Sequence, residues 1–136
     1  MALAAPVAAA AQGPVSEEVA VRKVVETYLH GLKFNDVRDF KEAFWPNALL
    51  LFVTRQGGLG QLTQEQWYKG FAAVAGKEEQ GTLRIASIEV VRDIASVKVV
   101  EDYATSRYTD FISLVKFDGA WKVVNKVYTA EKRPNS

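Results

Sequence analysis

The chain has 136 residues, of which 49% are hydrophobic and 24% are charged, and its formal net charge is +1. That length suits one domain with a substantial core, and the charge balance argues against a broad basic surface for nucleic acid or an anionic membrane. There is no cysteine and only one histidine, His30. Disulfides and thiol catalysis are excluded, and we expect no metal and no cofactor.

The first residues differ in composition from the rest. Met1–Gln12 is rich in alanine, and its last alanines would satisfy a signal peptidase, but the run is short and lacks a basic start. We therefore expect residues 1–15 to be either a disordered tail or the remnant of an export signal. We expect a soluble chain that is cytoplasmic, or exported if Met1–Gln12 is the end of a signal peptide. We expect a single domain over residues 16–130 and a polar tail over residues 131–136.

Two helices are predicted first. Ser16 is expected to cap the first helix, and His30 lies on its polar side, one turn after Glu26, where we expect a surface ion pair. A short second helix follows Asp36, and Pro46 prevents its continuation. The apolar stripe of the first helix consists of Val21, Val24, Val25, Tyr28, Leu29 and Leu32.

Strands and a third helix follow. The apolar run Ala48–Thr54 has the length of a buried strand, and Gln56–Gln61, with three glycines, is expected to be a loop or hairpin turn. Thr63 and Gln66 form a capping box that opens a helix through Ala75. Two further strands are predicted at about Thr82–Val91 and Ile94–Thr105, turning at Arg92-Asp93.

A long β-hairpin closes the domain. Arg107–Tyr128 alternates around Asp118-Gly119, a pair typical of type I′ turns. Counting outward from the turn, uniform alternation puts Asp110 on one face together with Trp121, Val123, Asn125 and Val127. The opposite face then carries Phe111, Val115, Val124 and Tyr128. The resulting order, ααβαββββ, with helices early and antiparallel strands late, indicates an α+β fold.

Several short motifs recur along the chain in a fixed order. They are Tyr28-x-x-Gly31 before Asp36, Ala43-Phe44-x-Pro46-Asn47-Ala48, Tyr108-Thr109-Asp110-Phe111 and Asp118-Gly119-x-Trp121-Lys122-Val123-Val124-Asn125-Lys126. In these motifs the chain resembles the nuclear transport factor 2-like superfamily, and most closely its putative lumazine-binding or SnoaL-like bacterial group. The resemblance implies a curved antiparallel sheet wrapped as a cone around a pocket, and a homodimer formed through the sheet. Where the group often has histidine, this chain has Trp45.

Asp110 is the candidate catalytic residue. A carboxylate that projects into an apolar cone is desolvated, and this suits it to general acid or base chemistry. The resemblance implies the same, because distant members such as steroid isomerases and polyketide cyclases use an acid on the inner face. Alternatively, Asp110 only accepts hydrogen bonds from the backbone or from Asn125, its expected diagonal neighbour. Asn125 is accordingly either that partner or a group that orients a ligand.

Aromatic residues are the other candidate ligand-binding residues. An aromatic pocket with few polar groups suits a small, largely apolar or aromatic molecule, although each ring singly could equally be core packing. The candidates are Tyr28, Trp45, Trp67, Tyr68 and Tyr103. Three functions stay open: ligand binding, a cofactor-free isomerase, cyclase or dehydratase that uses Asp110, and a structural dimerisation module without a ligand. The apolar hairpin face with Phe111, Val115, Val124 and Tyr128 is the expected homodimer surface.

Overall fold

The computed structural model of the chain describes residues 14–134. Helices come early and strands late, as the α+β prediction requires. In chain order the elements are α1 (Pro14–Phe34), α2 (Val37–Ala43), β1 (Phe44–Val53), β2 (Leu59–Leu62), α3 (Gln64–Tyr68), a 3-10 helix (Lys69–Val74), β3 (Thr82–Val91), β4 (Ile94–Asp102), β5 (Ser106–Phe117) and β6 (Ala120–Lys132). None of the helices described here is long and apolar enough to cross a membrane.

The strands form one curved, unclosed sheet in the order β2-β1-β6-β5-β4-β3. All neighbouring strands are antiparallel except β1 and β6, which run parallel. The helices cover the concave face, and the core lies between the two layers. Its largest fully buried apolar side chains are Tyr28, Phe40, Phe44, Leu50, Ile112 and Leu114.

The helix ends follow the predicted signals only in part. Asp36 caps α2, with its Oδ1 accepting from the backbone N–H of Arg38 at 3.0 Å, and the capping box of Thr63 and Gln66 opens α3. The prediction that Ser16 caps α1 is wrong, because the helix already begins at Pro14, a residue that suits the first helical turn. His30 pairs with Asp39 at 2.6 Å and not with Glu26, because α2 brings an acid to it.

The third helix differs from the prediction, whereas the glycine-rich stretch forms a hairpin turn, one of its two predicted structures. The α-helix ends at Tyr68 and continues as a 3-10 helix, in which no residue is fully buried and Phe71 packs against the rings of Phe40 and Trp67. The glycine stretch turns at Gly57 and then forms β2, which pairs with β1. Gly60 in β2 lies against the ring of Phe52, where a Cβ atom would collide.

The final hairpin turns at Asp118-Gly119, as predicted. Both residues have positive φ, 50° and 76°, and Phe117 pairs with Ala120. Beyond Leu114, which faces Val123, the register shifts by one residue, so that Ser113 faces Asn125 and Val124 has no partner. Val124 is therefore the extra residue of a β-bulge.

The bulge reverses the direction of the side chains that follow it. Lys126 is buried opposite Ile112, whereas Val127 is exposed opposite Phe111. The prediction that Asn125 and Val127 share the inner face with Asp110 is wrong, because it assumed uniform alternation. Tyr128 accordingly belongs to the inner face and not to the outer one. Strand β6 also continues to Lys132, into the segment predicted as a polar tail, while Met1–Gln12 lies outside the described residues.

Candidate functional site

A cluster of charged and polar side chains lies inside the cone, centred on Asp110. The Asp110 side chain is fully buried, and its Oδ2 accepts a hydrogen bond from the hydroxyl of Tyr28 at 2.5 Å. The Nζ atom of Lys126 lies 3.7 Å from the same oxygen, and the Lys126 side chain is 5% exposed. Strand β5 thus supplies the acid, α1 the hydroxyl and β6, beyond its bulge, the cation.

A second acid joins the cluster from β4. Glu101 is only 2% exposed, and burial together with a hydrogen bond to Asp110 and the charge of Asp110 raises its pKa well above the ordinary value. Glu101 Oε2 and Asp110 Oδ1 are both buried and have no other hydrogen-bond donor among the described residues. One proton held between the two carboxyl groups would satisfy both oxygens. The acid pair then carries a single negative charge, opposite Lys126.

Lys126 is surrounded by aromatic rings. Its Nζ atom lies 4.8 Å from the ring centroids of Trp67 and Tyr128 and 5.1 Å from that of Tyr28. Ring faces attract a cation, and the attraction grows when water is excluded. The rings and Asp110 together therefore hold a charged ammonium group in the interior, although the described residues offer it no acceptor at hydrogen-bond distance.

A cavity of about 530 Å³ opens beside this cluster. Glu101 and Lys126 reach its wall, while Asp110 lies behind them. Burial raises the pKa of both Tyr103 and Tyr128, so their hydroxyls stay protonated and can donate hydrogen bonds. The aromatic residues of the wall are Trp67, Phe71, Tyr103, Tyr108 and Tyr128.

The predicted site residues divide into three groups. Trp67 and Tyr103 line the cavity, whereas Tyr28 and Asp110 belong to the buried cluster behind it. Trp45, Tyr68 and Asn125 do not line the cavity.

Each of these three residues has another environment. Trp45 is 40% exposed and packs edge-on against Phe117, with the ring centroids 5.4 Å apart. The hydroxyl of Tyr68 donates to Gln64 Oε1 at 2.9 Å. Asn125 lies opposite Ser113, on the face turned away from Asp110. The expectation that Asn125 is the neighbour of Asp110 is therefore wrong, and the bulge at Val124 is the reason.

The residues of the cluster and cavity that were not among the predicted site residues include Glu101, Phe71, Tyr108, Lys126 and Tyr128. The sequence did point to Glu101. It follows Val97 and Val99 at every second position, which places it on the same buried face of β4, and a charged residue on such a face is unusual. Alternation cannot predict that Lys126 points inward, because the bulge that turns it contains no glycine or proline that would reveal the bulge in the sequence. Within residues 14–134, no group of three histidines or acids is placed to hold a metal ion.

A curved sheet with three helices on its concave side and a cavity between them defines the nuclear transport factor 2-like class of proteins. A family model described as "Putative lumazine-binding" matches residues 16–129, so the chain belongs to this family. The resemblance inferred from the sequence motifs is confirmed. No curated protein sequence matches the chain.

Solved structures agree with this assignment. A nuclear transport factor 2-like protein of unknown function from Shewanella baltica is 28% identical, with a TM-score of 0.80, and the match covers 88% of this chain and 97% of that one. Another from Silicibacter pomeroyi is 27% identical, with a TM-score of 0.75 and coverage of 88% and 100%. A "Putative Scytalone Dehydratase" from Novosphingobium aromaticivorans, at 16% identity, TM-score 0.63 and coverage of 90% and 91%, shares the fold alone.

Proposed function

We propose that the cone cavity binds a small, flat, aromatic molecule. The observation that carries this proposal is the cavity of about 530 Å³, whose wall includes five aromatic rings and the buried residues Glu101 and Lys126. The polar residues Asn35, Gln66, Glu79 and Ser106 also line it. Ligand pockets are commonly of this size, mostly apolar, with a few polar groups that fix orientation. The family description, lumazine-binding, supports a bicyclic heteroaromatic ring as the first molecule to test.

The test is calorimetric titration of the purified protein with lumazine. We expect saturable binding, and we expect Tyr108→Ala to weaken it about tenfold or more, because a stacked ring at a ligand is worth about 1–3 kcal/mol. Trp45→Ala removes an aromatic ring outside the cavity and should leave the affinity unchanged. Equal losses in the two variants, or the absence of any binding by lumazine and related bicyclic aromatics, would refute the proposal and favour a structural module without a ligand.

The acid pair supports a second candidate, a cofactor-free isomerase, cyclase or dehydratase. The sequence-based candidate for the proton carrier is Asp110, but Glu101 is the member of the pair that reaches the cavity. In this mechanism Glu101 exchanges a proton with the bound molecule, Asp110 exchanges it with Glu101, and the Lys126 ammonium stabilises the negative oxygen that develops on the substrate.

Deuterium exchange separates catalysis from binding. An enolisable aromatic ketone such as 2-tetralone, incubated with the protein in deuterated water, should exchange its α-protons faster than in buffer. Asp110→Asn and Glu101→Gln should both abolish the acceleration, because each removes one carboxyl of the relay. A ketone that binds but exchanges at the background rate would leave ligand binding as the function.

We also propose that the protein forms a homodimer through the outer face of its sheet. Leu51, Val127 and Phe111 are direct neighbours across β1, β6 and β5, and they form an apolar row on the side of the sheet opposite the helices. Phe111 is 56% exposed and Val127 is 45% exposed. A contiguous apolar row on a sheet is typical of a partner surface, and a second copy offers an identical row.

A further inference from the structure

We infer that Lys126 and Glu101 select ligands that carry a cyclic amide edge, in which a ring N–H lies beside a carbonyl group. The carbonyl oxygen would accept a hydrogen bond from the Lys126 ammonium, and the ring N–H would donate one to Glu101. This inference rests on the proposed function, because it names the chemistry of the molecule that the aromatic walls would hold.

The first half of the inference follows from the unsatisfied donors of Lys126. An ammonium group has three N–H donors, yet the nearest acidic oxygen, Asp110 Oδ2, is 3.7 Å away, and the other close groups are ring faces. Since the ammonium group reaches the cavity and has no acceptor at hydrogen-bond distance among the described residues, its donors are left to water or to a bound molecule. Because Lys126 also lines the cavity, an oxygen atom of a bound molecule is the partner that this site lacks.

The second half follows from the way Glu101 holds its proton. The groups that act on Glu101 are Asp110 on β5, Lys126 on β6, Tyr103 just after the end of β4 and Tyr28 on α1. With the proton engaged between Glu101 Oε2 and Asp110 Oδ1, the remaining oxygen of Glu101 is a carbonyl-type acceptor at the cavity wall. It therefore suits a ligand N–H and repels a second ligand oxygen.

The charge of the cluster indicates a neutral ligand. Within the buried cluster, Lys126 carries one positive charge and the acid pair one negative charge, and the cavity wall includes a further acid, Glu79. An anionic ligand would add an uncompensated charge in a buried site, which is costly. A neutral cyclic amide satisfies both wall groups without adding a charge, and neither a plain aromatic hydrocarbon nor a carboxylate does so.

The experiment compares three probes of nearly the same shape with the unmodified protein. They are 2-quinolone, which has the complete edge, N-methyl-2-quinolone, which lacks the N–H, and naphthalene, which lacks both groups. We expect 2-quinolone to bind about tenfold or more tightly than N-methyl-2-quinolone, and naphthalene to bind most weakly, because a site built for hydrogen bonds rejects analogues that leave its groups unpaired. Equal affinities for the three probes would overturn the inference while leaving the proposed aromatic pocket intact. Failure of all three to bind would overturn both.

Variants assign the two contacts to their residues. Glu101→Gln reproduces the shape and hydrogen bonding of the protonated acid, with its amide donating to Asp110 and its oxygen free for the ligand, so the preference for 2-quinolone should persist. Glu101→Leu should abolish the preference over N-methyl-2-quinolone. Lys126→Met should abolish the preference of both quinolones over naphthalene. If Glu101→Gln also lost the preference for 2-quinolone over N-methyl-2-quinolone, the assigned role of Glu101 would be contradicted. The comparison of the three probes uses the unmodified protein and therefore does not depend on the folding of any variant.

Discussion

The hydroxyl of Tyr28 is the only direct hydrogen-bond donor to Asp110 Oδ2 among the described residues, at 2.5 Å. Burial and the charge of Asp110 raise the pKa of Tyr28, so the hydroxyl stays protonated and donates throughout the physiological pH range. We expect Tyr28→Phe to lower the free energy of unfolding by about 1–3 kcal/mol, because a buried acceptor then loses its partner. Urea denaturation measures the change.

Tyr108→Phe is the matched control for this prediction. Tyr108 lines the cavity, is only partly buried, and its hydroxyl makes no hydrogen bond within residues 14–134. Removal of that hydroxyl should change the stability by less than about 0.5 kcal/mol. If the two variants were equally stable, Asp110 would not depend on Tyr28.

The raised pKa of Glu101 predicts how stability depends on pH. The ordinary pKa of glutamate is 4.5, and in the folded protein burial and Asp110 raise it. Above pH 4.5 the unfolded chain releases this proton while the folded protein retains it, so the contribution of Glu101 to stability falls as pH rises, until the folded pKa is passed. Below pH 4.5 both states are protonated and the contribution is constant.

Glu101→Gln removes this titration. Relative to the unmodified protein, the variant should become progressively more stable as the pH rises above 4.5, as followed by urea denaturation at each pH. A stability difference for Glu101→Gln that stays flat across this range would mean that Glu101 is ionised in the folded protein.

At the level of single residues, the sequence identifies the acid but not its partners. Side chains on β5 alternate regularly from Leu114 back to Asp110, four residues earlier. Alternation therefore places Asp110 correctly on the inner face. Asn125 and Lys126 lie beyond the bulge, so the same rule assigns each of them to the wrong face. Strand β1 begins at Phe44, earlier than predicted, and the Trp45 ring therefore points outward. Tertiary packing determines this start of the strand, and local sequence does not.

The bulge in β6 determines which side chain meets the buried acids, and a pair of substitutions tests it. Lys126→Met removes the cation next to Asp110 and should lower the free energy of unfolding by about 3–5 kcal/mol, because a buried charge loses its counterion. Asn125→Leu, on the other face, should change it by less than about 1 kcal/mol. Without the bulge the order of the two effects would be reversed, and urea denaturation at neutral pH distinguishes the two outcomes.

The contact between α1 and α2 depends on a glycine. A Cβ atom at Gly31 would lie 2.7 Å from Cε1 of Phe40, whose ring is fully buried. We expect Gly31→Ala to destabilise the protein by about 1–3 kcal/mol, since the helices cannot separate without opening the core. Thermal unfolding measures this loss.

Gly70→Ala provides the control, because Gly70 has no positive φ and a Cβ atom there has open space around it. This substitution should be neutral or slightly stabilising, as alanine reduces the freedom of the unfolded chain. Destabilisation of Gly70→Ala to the same extent would show that the effect at Gly31 does not arise from the contact with Phe40.

Elements whose signals are local are the ones that sequence reasoning predicts. The turn at Asp118-Gly119, the cap at Asp36 and the capping box at Thr63 need only a few neighbouring residues, and all three form. The strand β2 and the 3-10 helix have weaker local signals. β2 exists because β1 offers it an edge, and the helix after Tyr68 changes its geometry where no residue is fully buried.

On the scale of the whole molecule, the two faces of the sheet differ in what covers them. The concave face is covered by helices and contains the charged cluster, whereas on the outer face residues 14–134 leave the apolar row of Leu51, Val127 and Phe111 uncovered. The bulge creates this division by turning Lys126 inward and Val127 outward. The same local irregularity thus shapes both the candidate site and the proposed dimer surface.

Sedimentation analysis tests the dimer. The unmodified protein should sediment with twice the mass of the chain, and Phe111→Lys should shift it to the monomer, because a buried charge at the centre of the interface has no partner. Val19→Lys places the same side chain on α1, at an apolar position of similar exposure, 52% against 56%, and should leave the dimer intact. If the unmodified protein were a monomer, the row would have to be covered in another way. If both variants dissociated, the helical face and not the sheet would contain the contact.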